Sequence, residues 1–194
     1  MRLNTLLTQR KTAILKKWFA ATIETYPSDT AKFLKSQKDP FANPVGRTIY
    51  QGLLALFDEL LKETDHNVMQ SLLDPIIRIR AIQNFSPSQA TSFIFFLKNV
   101  IRDNIRDNLK EEDFKGQLFR ELLLFESKID ELSLIAFNIY NQCREKIYEL
   151  KANEMKNRTI PNTQAVMPTT HKNRAEAFQT VQTVSAMNAA VIKT

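Results

Sequence analysis

Leu118, Leu122, Phe125, Ile129, Leu132, Ala136, Ile139 and Cys143 recur at alternating four- and three-residue steps. Neither proline nor glycine interrupts residues 117–160. Such spacing draws one apolar seam along a helix and suits a neighbouring helix better than a substrate pocket. A helix over 117–155 would be roughly 60 Å long at ~1.5 Å per residue, more than a small core needs. The expectation is a homodimer closed by Leu118, Leu122, Phe125, Ile129, Leu132, Ala136 and Ile139. In a monomer the same seam would be intramolecular core.

Composition narrows the class. Three Gly and seven Pro in 194 residues leave little punctuation for a β-rich fold, whereas 13 Phe supply core bulk. A lone cysteine, Cys143, leaves no internal disulfide framework and suits a reducing compartment. Basic residues Arg2, Arg10, Lys11, Lys16 and Lys17 break up the first turns, so no secretory signal is read there. Apolar runs such as 93–97 fall far short of the ~20 residues of a membrane helix. The expected protein is soluble, cytoplasmic and free of membrane insertion. Of the net charge of +6, residues 151–194 hold +4, with six basic against two acidic residues. The remaining 150 residues carry only +2, and nucleic-acid binding needs basic groups gathered on one face.

Amphipathic spacing predicts a helix over 3–24, ended by Tyr26-Pro27, and a short helix over 29–36. Asp39-Pro40 and Asn43-Pro44 bracket a turn, with Asn43 as N-cap and Pro44 at the first position of a helix reaching about Glu63. A further segment to Gln83 is interrupted at Pro75, as two helices or one kinked helix. Ser86-Pro87-Ser88-Gln89 is a capping box that opens a helix to about Leu109. This helix is apolar on nearly all sides at Phe93–Leu97, which predicts a central position or a covering partner. Ile101-Arg102-Asp103-Asn104 and Ile105-Arg106-Asp107-Asn108 echo each other and read as a solvated face. The long helix then runs to about Asn157, giving a domain over 1–157 and a basic, flexible tail over 158–194.

Chemistry is harder to find. Glu63-x-x-His66 has the spacing of carboxylate-bridged metal sites, but no second such motif accompanies it. It reads as a helix end with a surface histidine, and no metal or cofactor is expected. Cys143 falls on the seam as a small apolar filler with no histidine nearby in sequence. The glycines are isolated, so no phosphate-binding loop is formed. Arg78 and Arg80 sit two apart among Ile76, Ile77, Ile79, Ala81 and Ile82 and so point to different helix faces. One of them can pair with Asp74 or another carboxylate; alternatively they head an anionic or apolar ligand. The candidate ligand site is therefore Arg78, Arg80, Phe57, Phe93 and Phe96. A helix-turn-helix from 76–83 and 87–109 fails, because its second helix would offer phenylalanines to base edges.

Three stretches carry a resemblance: Thr25-Tyr26-Pro27-Ser28-Asp29-Thr30, Asp39-Pro40-Phe41-Ala42-Asn43-Pro44-Val45-Gly46, and Ile77-Arg78-Ile79-Arg80-Ala81-Ile82-Gln83-Asn84-Phe85-Ser86-Pro87-Ser88-Gln89-Ala90. Over roughly 5–150 the chain resembles the N-terminal domain of RsbRD-type RsbT co-antagonists. The resemblance implies an all-α, globin-like fold without haem, dimerisation through helices, and a last helix that leads into a STAS domain. Residues 158–194 do not read as a STAS domain, so direct antagonism of RsbT is not carried over. The expected function is non-enzymatic sensing or regulation through helix-mediated dimerisation and partner binding, with a small apolar ligand. Two alternatives stand beside it: an accessory subunit of a redox or membrane-associated complex, docked by its tail, and a haem-binding globin-type sensor using His66.

Overall fold

The computed structural model describes residues 2–36, 42–62, 65–108 and 116–159. These residues form seven α-helices and no strand: α1 (Leu3–Gln9), α2 (Lys11–Ile23), α3 (Ser28–Ser36), α4 (Pro44–Leu60), α5 (His66–Ile82), α6 (Pro87–Asn108) and α7 (Gln117–Thr159). The chain divides into two units, Met1–Ala152 and Asn153–Thr194. Of the second unit only the end of α7 is described. The expected tail, the Asp39-Pro40 turn and Glu63 lie outside the described residues. No described helix is long and apolar enough to cross a membrane.

Local signals set several helix ends. Asn43 caps α4, its Oδ1 accepting from the Gly46 N–H at 2.8 Å while its Nδ2 donates to the Leu34 carbonyl at 2.9 Å. The capping box of α6 is reciprocal: Ser86 N–H donates to Gln89 Oε1 at 3.0 Å, and Gln89 N–H to Ser86 Oγ at 3.3 Å. Both match the sequence reading.

Other elements differ from it. The expected helix over 3–24 is broken at Arg10 (φ −99°, ψ 6°). Leu3, Leu6 and Leu7 are buried in α1, and Ile14, Leu15, Trp18, Thr22 and Ile23 in α2. On one straight helix these sets would face roughly 100° apart at 3.6 residues per turn, so the break turns both inward. Pro75, in contrast, ends nothing: α5 passes through it as a single helix. The proline deprives the Ser71 carbonyl of its usual donor. Burial of Met69, Leu73, Ile76, Ile77 and Ala81 holds the helix together across that gap. The repeated Ile-Arg-Asp-Asn is not a wholly solvated face, because Ile101, Asn104 and Ile105 are buried while Arg102, Arg106, Asp107 and Asn108 are exposed. Nor is α6 covered all round, since Phe95 is 46 % exposed.

Trp18 marks the middle of the first unit. It is fully buried, and its indole N–H donates to the Phe93 carbonyl at 2.7 Å, tying α2 to α6. Around it lie Phe57, Phe93, Ile49, Leu53 and Ile14, all without solvent exposure.

Candidate functional site

The C-terminal turn of α5 builds the most unusual environment in the molecule. Asn84 adopts a left-handed conformation (φ 61°), and the Phe85 N–H returns to the Arg80 carbonyl at 3.2 Å. This is the Schellman way of ending a helix, with asparagine at the position that favours glycine. It folds the Phe85 ring back over Arg80, whose guanidinium carbon lies 4.3 Å from the ring centroid. Tyr26 and Phe93 complete an aromatic cage at 5.3 and 5.5 Å. Tyr26 and Phe85 meet edge to face at 4.9 Å.

Arg80 has no solvent exposure. Its Nη2 donates to Thr25 Oγ1 at 2.7 Å and to the Gln89 carbonyl at 2.9 Å. Its Nε and Nη1 and the Tyr26 hydroxyl have no partner outside the Arg80–Tyr26 pair itself. Among the described residues no carboxylate pairs with Arg80. Burial lowers the affinity of this guanidinium for its proton and pushes the Tyr26 hydroxyl up. A guanidinium remains charged even so, and an uncompensated buried charge is costly.

The cage is wired to α7. The Tyr140 hydroxyl donates to the Phe85 carbonyl at 2.5 Å, and Arg144 Nη1 donates to the Ala81 carbonyl at 3.2 Å and to Asn84 Oδ1 at 3.4 Å. Further along α7, Lys128 caps the end of α4 through the Lys62 carbonyl at 2.8 Å. Arg102 grips Glu126 through two nitrogens, at 2.6 and 2.7 Å, and Lys98 pairs with Asp130 at 2.6 Å. Glu121 accepts from the Leu3 N–H at 2.7 Å. Ties from α1, α4, α5 and α6 therefore all reach α7.

That packing corrects the expected dimer seam. Leu118, Leu122, Phe125, Ile129, Leu132, Ala136 and Ile139 are each at most 5 % exposed within a single protomer. They are spent on its own core and have no surface left for a second chain. The opposite face of α7 carries exposed apolar residues, Leu123 at 51 %, Leu134 at 68 % and Phe137 at 45 %, with the ion-paired Asp130 between them. At 3.6 residues per turn these three fall within roughly 60° of one another. The Lys98–Asp130 and Arg102–Glu126 pairs set α6 antiparallel to α7, which brings exposed Phe95 level with Ser133 and Leu134.

The five expected ligand residues do not form one site. Arg80 and Phe93 meet in the cage. Arg78 lies on the outside of α5, where Nε donates to Asp74 Oδ2 at 2.5 Å, so Asp74 is the partner of Arg78 and not of Arg80. Phe57 is sealed in the core, and Phe96 is half-buried on α6. Sequence reasoning missed Thr25, Tyr26 and Phe85; the signal was Asn84-Phe85, a left-handed cap that returns a ring to the helix. His66 is the exposed first residue of α5. Among the described residues no three His, Cys, Asp or Glu side chains gather to hold a metal. Cys143 is buried, and burial pushes its thiol up, away from reactivity. A surface groove of about 290 Å³, lined by Arg2, Leu3, Asn4, Glu121, Leu124, Phe125 and Lys128, opens at the start of α1 and α7.

The described residues form an all-α domain with a buried arginine cage and a long helix. Comparison gives the class its family: the model of the RsbT co-antagonist protein rsbRD N-terminal domain matches residues 12–155. The chain belongs to that family. An uncharacterised protein of Archaeoglobus fulgidus is 33 % identical over 87 residues, covering 44 % of this chain and 51 % of the relative. The chain thus spans about half the length of that curated relative. No solved structure matches.

Proposed function

We propose that the chain is a non-enzymatic sensor or regulatory domain that signals through helix-mediated dimerisation and partner binding. Family membership supports the regulatory role, since the family is named for the N-terminal domain of an RsbT co-antagonist. The observation that carries dimerisation is the outward face of α7, with Leu123, Leu134 and Phe137 left 45–68 % exposed although the core is closed without them. A soluble protein keeps such a face when something covers it. A second copy is the simplest cover, because a helix face packs on its own two-fold image without further parts. A helix that is core on one side and interface on the other passes movement from one to the other. The domain is read as the cytoplasmic input half of a regulator, with a globin-like helical arrangement.

Light scattering tests this with two neighbouring substitutions. Leu134→Glu, on the outer face, should dissociate the dimer and leave helix content and melting temperature close to wild type. Leu132→Glu puts a carboxylate into the core at a position 1 % exposed, so it should unfold the protein instead. A wild-type protein that is monomeric at all concentrations, or a Leu134→Glu protein that stays dimeric, overturns the proposed interface.

A further inference from the structure

We propose that the Arg80 cage is a binding site for a compact monovalent anion, and that its occupancy is the signal passed to α7. A guanidinium with no solvent exposure and no paired carboxylate leaves one positive charge to be answered. Two of its nitrogens, Nε and Nη1, have no partner beyond the neighbouring Tyr26, and the buried Tyr26 hydroxyl has none beyond this guanidinium. Buried donors satisfied at most by each other, around a cation that faces rings and no carboxylate, call for an acceptor carrying negative charge.

Geometry narrows the ligand class. The fork that holds a carboxylate in two parallel bonds consists of Nε with Nη2, and Nη2 is already taken by Thr25 and Gln89. The free Nε–H and Nη1–H diverge on either side of the side-chain stem, so one planar carboxylate cannot bridge them. The donors left suit an ion that takes one guanidinium N–H together with the Tyr26 O–H: a halide, nitrate or formate. A divalent oxyanion would leave a net negative charge sealed among Tyr26, Phe85 and Phe93. The walls are side chains from two interhelical turns, Thr25 and Tyr26 after α2 and Phe85 after α5. An ion seated there presses on Phe85, whose carbonyl is held by Tyr140 of α7. Anion binding stands without the regulatory reading; only its output through α7 rests on that reading.

Trp18 provides the reporter, because its indole donates to the carbonyl of the same Phe93 that walls the cage. It is the one tryptophan of the chain. The full chain, freed of chloride in gluconate buffer, is titrated with bromide, nitrate and formate at constant ionic strength. The proposal expects a saturable change in tryptophan fluorescence and a rise in melting temperature with these anions. Both should be absent in Arg80→Met. Tyr26→Phe, which keeps the ring and loses one hydrogen bond, should weaken binding about tenfold, the equivalent of ~1.4 kcal/mol. A response that merely tracks ionic strength, or that survives in Arg80→Met, overturns it. Bromide-soaked crystals give a second readout, an anomalous peak within hydrogen-bond reach of Arg80; peaks only elsewhere overturn the site. Light scattering in the same buffers separates the two claims. Anion binding by a permanent monomer overturns the dimer reading alone, whereas a dimer indifferent to anions overturns the site alone.

Discussion

Replacing Arg80 by methionine should leave the protein as stable as wild type or make it more stable, which is unusual for a residue with no solvent exposure. Both acceptors of Arg80 keep other partners: the Thr25 hydroxyl donates to the Thr22 carbonyl at 2.7 Å, and the Gln89 carbonyl accepts from Ser92 Oγ at 3.0 Å. Removing the guanidinium therefore orphans neither. What is lost is two hydrogen bonds from a charged donor, ~1.5–3 kcal/mol each, and three ring contacts of ~0.5–2 kcal/mol each. What is recovered is the desolvation of an unpaired charge, several kcal/mol, together with two unsatisfied donors at ~1–3 kcal/mol each. The opposing sums are of similar size, and methionine fills most of the stem volume. The expected net change is therefore small, consistent with buried charges replaced by packed apolar groups. Arg80→Ala removes the same charge but opens a hole among Tyr26, Phe85 and Phe93, so it should cost ~2–5 kcal/mol. In thermal melts in gluconate buffer at pH 7, ~1 kcal/mol corresponds to 2–4 °C for a domain of this size. The alanine variant should melt well below the methionine variant. If methionine is as damaging as alanine, the charge is compensated in the native state and the account of the cage is wrong.

Two further outcomes follow from packing and charge. A Cβ at Gly52 would meet Ile76 Cδ1 at 2.6 Å and Cγ1 at 3.0 Å where α4 crosses α5, and Ile76 is fully buried. Gly52→Ala should therefore cost ~1–3 kcal/mol despite its better helix propensity, and Ile76→Val, which deletes that methyl, should recover part of the loss in the double variant. A Gly52→Ala protein that melts higher than wild type would show that the helices are not in contact there. The Glu121 carboxylate, accepting from the Leu3 N–H and from Gln117, is held below its usual range. A carboxylate depressed by folding adds stability above its unfolded pKa and loses it as pH falls through the folded value. The gap in melting temperature between wild type and Glu121→Gln should thus be present at neutral pH and close towards pH 3; a gap constant with pH would contradict it.

Local chemistry was legible from the chain alone. Asn43 with Pro44, and Ser86 with Gln89, define helix starts because the capping atoms lie within three residues of each other in sequence. The four-three spacing from Leu118 to Cys143 likewise specified a long helix with one apolar seam, because period depends on sequence alone. Period says which residues share a face and nothing about what lies opposite. Only the tertiary structure showed that α1, α4, α5 and α6 cover the seam, leaving Leu123, Leu134 and Phe137 as the outer surface. The two arginines of α5 make the same point. Two residues apart they must diverge, but it took Asp74 on the outside and Tyr26, Phe85 and Phe93 on the inside to make one a surface ion pair and the other a sealed charge. Spacing along a chain fixes direction about a helix axis; burial is settled by helices far away in sequence.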